Sequence, residues 1–190
     1  MTSPDDLRFR MAGADDAAGL AGLHADSWRR HYRGAFSDAF LDGDVAGYLR
    51  ARWTERLTAQ DPQARTIVAE FGGDVVGLAH TQLGENPEWG ALLDNLHVAY
   101  GLKRMGVGTR LMALTAQAVL DATPASGLYL WALEQNAGAR AFYTARGGTC
   151  VETSLVPPPG GDQARLNGSP RGMRFVWPDP SKLLPSTAAD

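Results

Sequence analysis

The chain has 190 residues, a formal net charge of −3, 44% apolar and 21% charged residues, which fits one soluble globular core and not two comfortable domains. The mildly acidic balance argues against general nucleic-acid binding, which calls for a basic face, and the single cysteine, Cys150, excludes an intramolecular disulfide and a CxxC metal pair. Met1 to Phe9 carries Asp5 and Asp6 where an export signal needs cations and an apolar run, and no stretch approaches ~20 uninterrupted apolar residues, so a cytoplasmic protein without a membrane span is expected.

In chain order, Leu7, Phe9 and Met11 alternate with Arg8 and Arg10, the period of a half-buried strand. Leu20, Leu23, Ser27, Trp28, His31 and Tyr32 then recur at spacings of three and four and predict a helix from Asp16 to Tyr32. A second helical stretch over Ser37–Leu57 is expected to break at Asp42-Gly43-Asp44 into two shorter helices. Thr66–Phe71 and Val75–Leu83 read as strands of a hairpin turned at Gly72-Gly73-Asp74, and Gly84–Gly90 as a loop. Ala91–Val98 predicts a strand, Gly106–Ala122 an amphipathic helix stopped by Pro124, Leu128–Leu133 a strand, and Ala137–Arg146 a short helix closed by Gly147-Gly148. Thr149–Leu155 and Gly172–Trp177 are the last strands. The Pro- and Gly-rich stretch between them, Val156–Arg171, reads as a mobile excursion or a lid. One domain is expected over residues 1–178, with a frayed tail at 179–190.

The stretch Lys103-Arg104-Met105-Gly106-Val107-Gly108-Thr109 joins a hydrophobic strand to a helix. The first N–H groups of that helix have no intrahelical partner and lie at the positive end of its dipole, which makes the turn a candidate anion site. Without Cβ atoms, Gly106 and Gly108 let a diphosphate approach the backbone, while Lys103 and Arg104 add charge. A P-loop is excluded, because no GK[ST] follows, and a Rossmann fingerprint lacks its third glycine. A plain structural turn stays open at this point.

Two motifs in the right order resolve the choice. Leu96-His97-Val98 followed by Lys103-x-x-Gly106-x-Gly108, and Asn136-x-x-Ala139-x-x-Phe142-Tyr143 followed by Gly147, make the chain resemble the GCN5-related N-acetyltransferase (GNAT) superfamily over nearly its whole length. Lysine replaces the more usual Arg or Gln at the first loop position. The resemblance implies an α/β (α+β) fold with a mixed, mostly antiparallel central sheet of seven strands flanked by helices, in which two central parallel strands splay apart. It also implies acetyl-CoA as acyl donor and a primary amine as acceptor; no metal is expected, since His24, His31, His80 and His97 show no HExxH or His/Cys ligand spacing.

By the same resemblance, main-chain groups of Leu96, His97 and Val98 pair with pantetheine. The diphosphate rests on Arg104, Met105, Gly106, Val107, Gly108 and Thr109, with Lys103 adding charge, and Asn136 contacts the cofactor. Asn136 is also an ordinary helix N-cap. Tyr143 matches the tyrosine that protonates the departing thiolate; otherwise it is a buried aromatic beside Phe142. Leu92 stands where many members carry a glutamate base. Asp94, two residues on and on the same strand face, is the substitute candidate, whereas His97 is expected on the opposite face. His97 and His80 read as packed or exposed histidines ahead of a base, Glu85 and Glu88 are further candidates for base or cation recognition, and Trp28, Tyr32 and Trp53, on helices that by the resemblance form one wall of the acceptor pocket, read as core aromatics. The expected activity is N-acetylation of a small-molecule amine, with peptide or protein N-acetylation, or CoA binding without efficient transfer, as alternatives. A homodimer is left open.

Overall fold

The computed structural model describes residues 7–186; Met1 to Asp6, part of the expected first domain residues, and the last four residues of the tail lie outside the described residues. Seven strands and five helices follow the chain: β1 (Leu7–Met11), α1 (Ala17–His31), α2 (Asp38–Asp42), α3 (Val45–Thr58), β2 (Ala64–Phe71), β3 (Asp74–Asn86), β4 (Gly90–Val98), α4 (Val107–Ala122), β5 (Leu128–Leu133), α5 (Ala137–Ala145), β6 (Thr149–Leu155) and β7 (Arg171–Trp177). They build one open sheet in the order β1-β2-β3-β4-β5-β7-β6, with every pair antiparallel except β4–β5.

The helices cover both faces. On one, Leu111, Met112, Ala116 and Val119 of α4 pack with Ala79, Leu93, Leu128, Leu130 and Phe175. On the other, Leu20, Leu23, Leu49 and Trp53 of α1 and α3 pack with Val68 and Leu78. Side chains that leave water here supply the main driving force, roughly 2 kcal/mol for each fully buried Leu.

The hairpin turn at Gly72-Gly73 forms as expected. Both glycines have positive φ, 61° and 90°, the backbone of a tight two-residue connection between Phe71 and Asp74. The expected loop at Gly84–Gly90 is shorter than its sequence suggests: β3 continues past Gly84 to Asn86, which pairs with Gly90 after a register shift and leaves only a turn at 87–89. At Gly90 a Cβ would lie 2.2 Å from the Gly127 carbonyl oxygen, so only glycine lets the starts of β4 and β5 approach this closely.

Two other expectations change. Val156–Arg171 is an ordered strap with two short 3-10 turns, docked by main-chain bonds from Ser37 to Arg165 (2.9 Å) and from Asn167 to Ala35 (2.8 Å). Arg165 lies over the rings of Phe40 and Tyr48. After Pro178, the expected frayed tail begins with a 3-10 turn at Pro180–Leu183, whose Leu183 is buried in the α4-side core.

Candidate active site

β4 and β5 pair at only two positions, Ala91 with Leu128 and Leu92 with Tyr129. Beyond them the strands diverge, so the edge of β4 from Leu93 to Val98 that faces β5 has no strand partner, while its other edge stays bonded to β3. Unpaired main-chain groups along a gap are an invitation to an extended polar ligand. Leu96, His97 and Val98 occupy this edge.

The glycine turn closes the C-terminal end of the gap. Gly106 caps α4 with φ 82° and no side-chain cap, and among the described residues no backbone acceptor pairs with the N–H groups of Val107, Gly108 and Thr109. At Gly108 a Cβ would meet Phe142 and Val98 at ordinary contact distances of 3.4 and 3.7 Å, so internal packing does not demand a glycine there. Arg104, itself at φ 69°, and Met105 are exposed. Lys103 turns away: its ammonium lies 2.7 Å from His31 Nε2, and burial together with Arg30 lowers its pKa. Asn136 caps α5, its Oδ1 accepting from the Ala139 N–H at 3.1 Å. Beside the turn lies a second cavity of about 670 Å³, rimmed by Thr109, Arg110, Arg146 and Lys182.

The N-terminal part of the gap opens into a cavity of about 150 Å³ lined by Trp28, Tyr32, Leu93, Asp94, Asn95, Leu96, His97, Leu130, Trp131 and Tyr143. Tyr143 enters from the α4 side, packed against Phe142, Phe175 and Trp177, and burial pushes its phenol well above the ordinary value. Tyr32 enters from α1, its phenol pushed up to about 12 by burial and then by Asp94. Both phenols are neutral at pH 7 and able to donate. Trp28 and Tyr32, read from their period as core although the resemblance puts their helices at the acceptor pocket, line the cavity, whereas Trp53 does not; helical period does not distinguish a packed stripe from one that also faces a gap.

Asp94 sits in the cavity wall as a bulge. Thr81 pairs with Leu93 and His80 with Asn95, leaving Asp94 as the extra residue of β4. Its Oδ2 takes hydrogen bonds from Arg56 Nη2 and Asn95 Nδ2, each at 2.6 Å. The extra residue also overturns the expected placement of His97 on the face opposite Asp94. His97 instead joins Asp94 on the α1/α3 face, where its Nδ1 is hydrogen-bonded to Ser27 Oγ at 2.8 Å and its ring lies 4.3 Å from that of His24. Burial lowers the His97 pKa to about 4.

The other base candidates lie elsewhere. His80 is buried with Nδ1 bonded to Thr66 Oγ1 at 2.8 Å, against Trp53, and does not line the cavity. Glu85 and Glu88 are exposed at the β3–β4 turn.

This architecture has relatives. The family model of the Acetyltransferase (GNAT) family matches residues 25–147. The chain belongs to the GNAT acetyltransferase family. The GNAT resemblance of its two motifs is thereby established, and with it acyl transfer as the class of chemistry. A curated relative from Mycobacterium tuberculosis, described as probable N-acetyltransferase Rv2775, is 30% identical over 146 residues, 74% of this chain and 78% of its own. Among solved structures, the PaiA N-acetyltransferase of Thermoplasma acidophilum in complex with coenzyme A superposes with a TM-score of 0.68 at 16% identity, covering 90% of this chain and 99% of that one. A GCN5-related N-acetyltransferase of Rhodopseudomonas palustris gives 0.67 at 20% identity, covering 93% and 98%. Both share the seven-stranded sheet flanked by helices expected for this GNAT chain.

Proposed function

We propose that the protein transfers an acetyl group from acetyl-CoA to the primary amine of a small molecule by direct attack in a ternary complex. The observation that carries this reading is the two-residue pairing of β4 and β5, which leaves a gap with an anion-binding turn at one end and a cavity holding a neutral phenol at the other.

In this reading the diphosphate lies on the free N–H groups of Val107, Gly108 and Thr109, with Arg104 adding charge. The cavity beside Arg110, Arg146 and Lys182 takes the adenosine end with its 3′-phosphate. Pantetheine pairs with the open edge of β4 at Leu96 to Val98 as an added strand would. The thioester then reaches the smaller cavity, where a neutral amine attacks the carbonyl carbon, the N–C bond forms, the C–S bond breaks, and Tyr143 gives its proton to the departing sulfur. Its raised pKa keeps the phenol protonated until that moment.

Asp94 lines the acceptor side but already shares its Oδ2 between Arg56 and Asn95. It acts as a fixed negative charge that favours a cationic acceptor on approach, not as a free base. The strap at 156–171 supports a small acceptor over a peptide. It is anchored at Ala35 and Ser37, and its Val156 and Leu166 pack against the same buried cluster of Ala35, Phe36, Leu41 and Leu133 as Trp28 and Tyr32, two residues of the cavity wall.

The test is acetyl transfer followed by thiol release across a panel of small primary amines and of peptides with free amino termini or lysines. Faster turnover of the small amines supports the reading. Transfer confined to peptides replaces it with the alternative, and release of CoA without any acceptor leaves only cofactor binding.

A further inference from the structure

Attack by an amine needs a group that removes a proton from nitrogen, and in Asp94 one carboxylate oxygen, Oδ2, is taken up by Arg56 and Asn95. His97 lines the same cavity. Its Nδ1 is occupied by Ser27 Oγ at 2.8 Å, and among the described residues its Nε2 has no hydrogen-bond partner. We propose that His97 is the base of acyl transfer, its Nε2 taking the proton that the attacking nitrogen loses, with Ser27 as the positioning residue that holds the ring. This inference rests on the acetyl transfer proposed above.

The arrangement is that of a base whose second nitrogen is oriented by a third group. The required tautomer has Nδ1–H donating to Ser27 Oγ, which leaves the Nε2 lone pair open. The neighbouring imidazole cannot take the role. Trp53 Nε1–H donates to His24 Nδ1 at 3.3 Å, which places the His24 proton on Nε2, and that atom is sealed in the core without a partner. The charged and titratable groups around His97 come from every packed element: His24 and His31 from α1, Asp94 from β4, Arg56 from α3 behind Asp94, Lys103 from the glycine turn, and Tyr32 and Tyr143 across the cavity. Desolvation, helped by His31 and Lys103, outweighs the opposing effect of Asp94, so the ring is neutral at pH 7.

The step balances. The neutral amine forms the N–C bond and passes one proton to His97 Nε2, while the C–S bond breaks and the sulfur receives one proton from Tyr143. The products are the amide and the free thiol of CoA. The imidazolium and phenolate left behind return to neutrality by proton exchange through solvent as products leave, with no further reactant. The two groups act from opposite faces of the sheet, His97 from the α1 side and Tyr143 from the α4 side, with the gap between them.

Two measurements test the assignment. The first uses the native protein and no acceptor: nitrogen NMR of histidine-labelled protein, with the His97 resonance assigned by its loss in His97→Gln. Nδ1–H with bare Nε2 is expected; a proton on Nε2 at neutral pH overturns the assignment. The second compares turnover of acetyl-CoA with the small primary amine that the native protein acetylates fastest. His97→Gln is expected to lower kcat about 100-fold with acetyl-CoA affinity unchanged, Ser27→Ala to lower it less, and Ser27→Thr, which keeps the hydroxyl, to restore it. A folded His97→Gln that keeps kcat within about threefold of native overturns the proposal. If the native protein fails to bind acetyl-CoA, the proposed function falls; if it binds and transfers while His97 carries its proton on Nε2, the base assignment alone falls.

Discussion

Tyr143 and His97 line one cavity from opposite faces of the sheet, the tyrosine anchored among Phe142, Phe175 and Trp177 and the histidine held by Ser27 of α1. The splay between β4 and β5 makes this possible, because a continuous sheet would screen one from the other. In the proposed reading Tyr143 is the acid and His97 the base, placed on the two sides of the gap as general acid–base transfer needs.

Removing the acid should therefore affect the chemical step and not cofactor binding. Tyr143→Phe keeps the ring in its aromatic packing and deletes only the hydroxyl, so stability should change little while kcat falls about 100-fold. Acetyl-CoA affinity, read by calorimetry, should stay within about twofold. Native turnover in the variant would show that the thiolate leaves without that proton.

The glycine turn makes a separate prediction. Because a Cβ at Gly108 meets only ordinary contacts within the protein, Gly108→Ala should melt within a degree or two of native, about 0.5 kcal/mol. The same methyl group stands where a diphosphate must approach the amides, so acetyl-CoA affinity should fall at least about tenfold. Unchanged affinity in a folded variant would mean that the turn is structural only.

Much of this was legible in the sequence, for identifiable reasons. Strong periods in Leu20 to Tyr32 and Val107 to Ala122, and the Gly72-Gly73 turn, fix α1, α4 and the β2–β3 hairpin by local chemistry alone. Gly106, Gly108, Asn136 and Tyr143 stand out because their spacing joins a strand to a helix twice. The placement of His97 was not legible. Strand alternation assigns it to the face opposite Asp94, and only the bulge at Asp94, a property of the β3–β4 register, reverses that. Arg56 was equally hidden, since its contact with Asp94 spans 38 residues and nothing local marks it. The strap at 156–171 reads as loop because its order comes from distant partners, Ala35 and Ser37, and not from its own Pro- and Gly-rich sequence.

Asp94 and His97 should separate kinetically. Asp94→Asn removes a partly exposed negative charge; its attraction for a cationic acceptor, as an exposed pair, is worth about 1 kcal/mol, so the KM for such an acceptor should rise about fivefold while kcat falls less. His97→Gln should show the reverse, with kcat carrying the loss. Steady-state kinetics with one amine at saturating acetyl-CoA reads both. A kcat loss in Asp94→Asn as large as that in His97→Gln would contradict the division of roles.

The buried histidines also make stability depend on pH. His80 and His97 have folded pKa values of about 4, below the unfolded value of 6.5, chiefly through burial. The unfolded chain thus binds more protons as the solution acidifies. Stability from these groups is fully present above pH 6.5 and is lost as pH falls from about 6.5 toward 4, by at most about 3 kcal/mol for each. Denaturant midpoints should drop across that window and stay level from pH 7 to 8. A flat profile down to pH 4.5 would contradict the burial of neutral imidazoles.

The most direct measurement of the central claim is a calorimetric titration of the native protein with acetyl-CoA, with Gly108→Ala in parallel. The account predicts micromolar, one-to-one binding that weakens at least about tenfold in the variant. No heat of binding to the native protein would contradict it, because the open edge of β4 and the free amides of α4 would then hold no acyl donor.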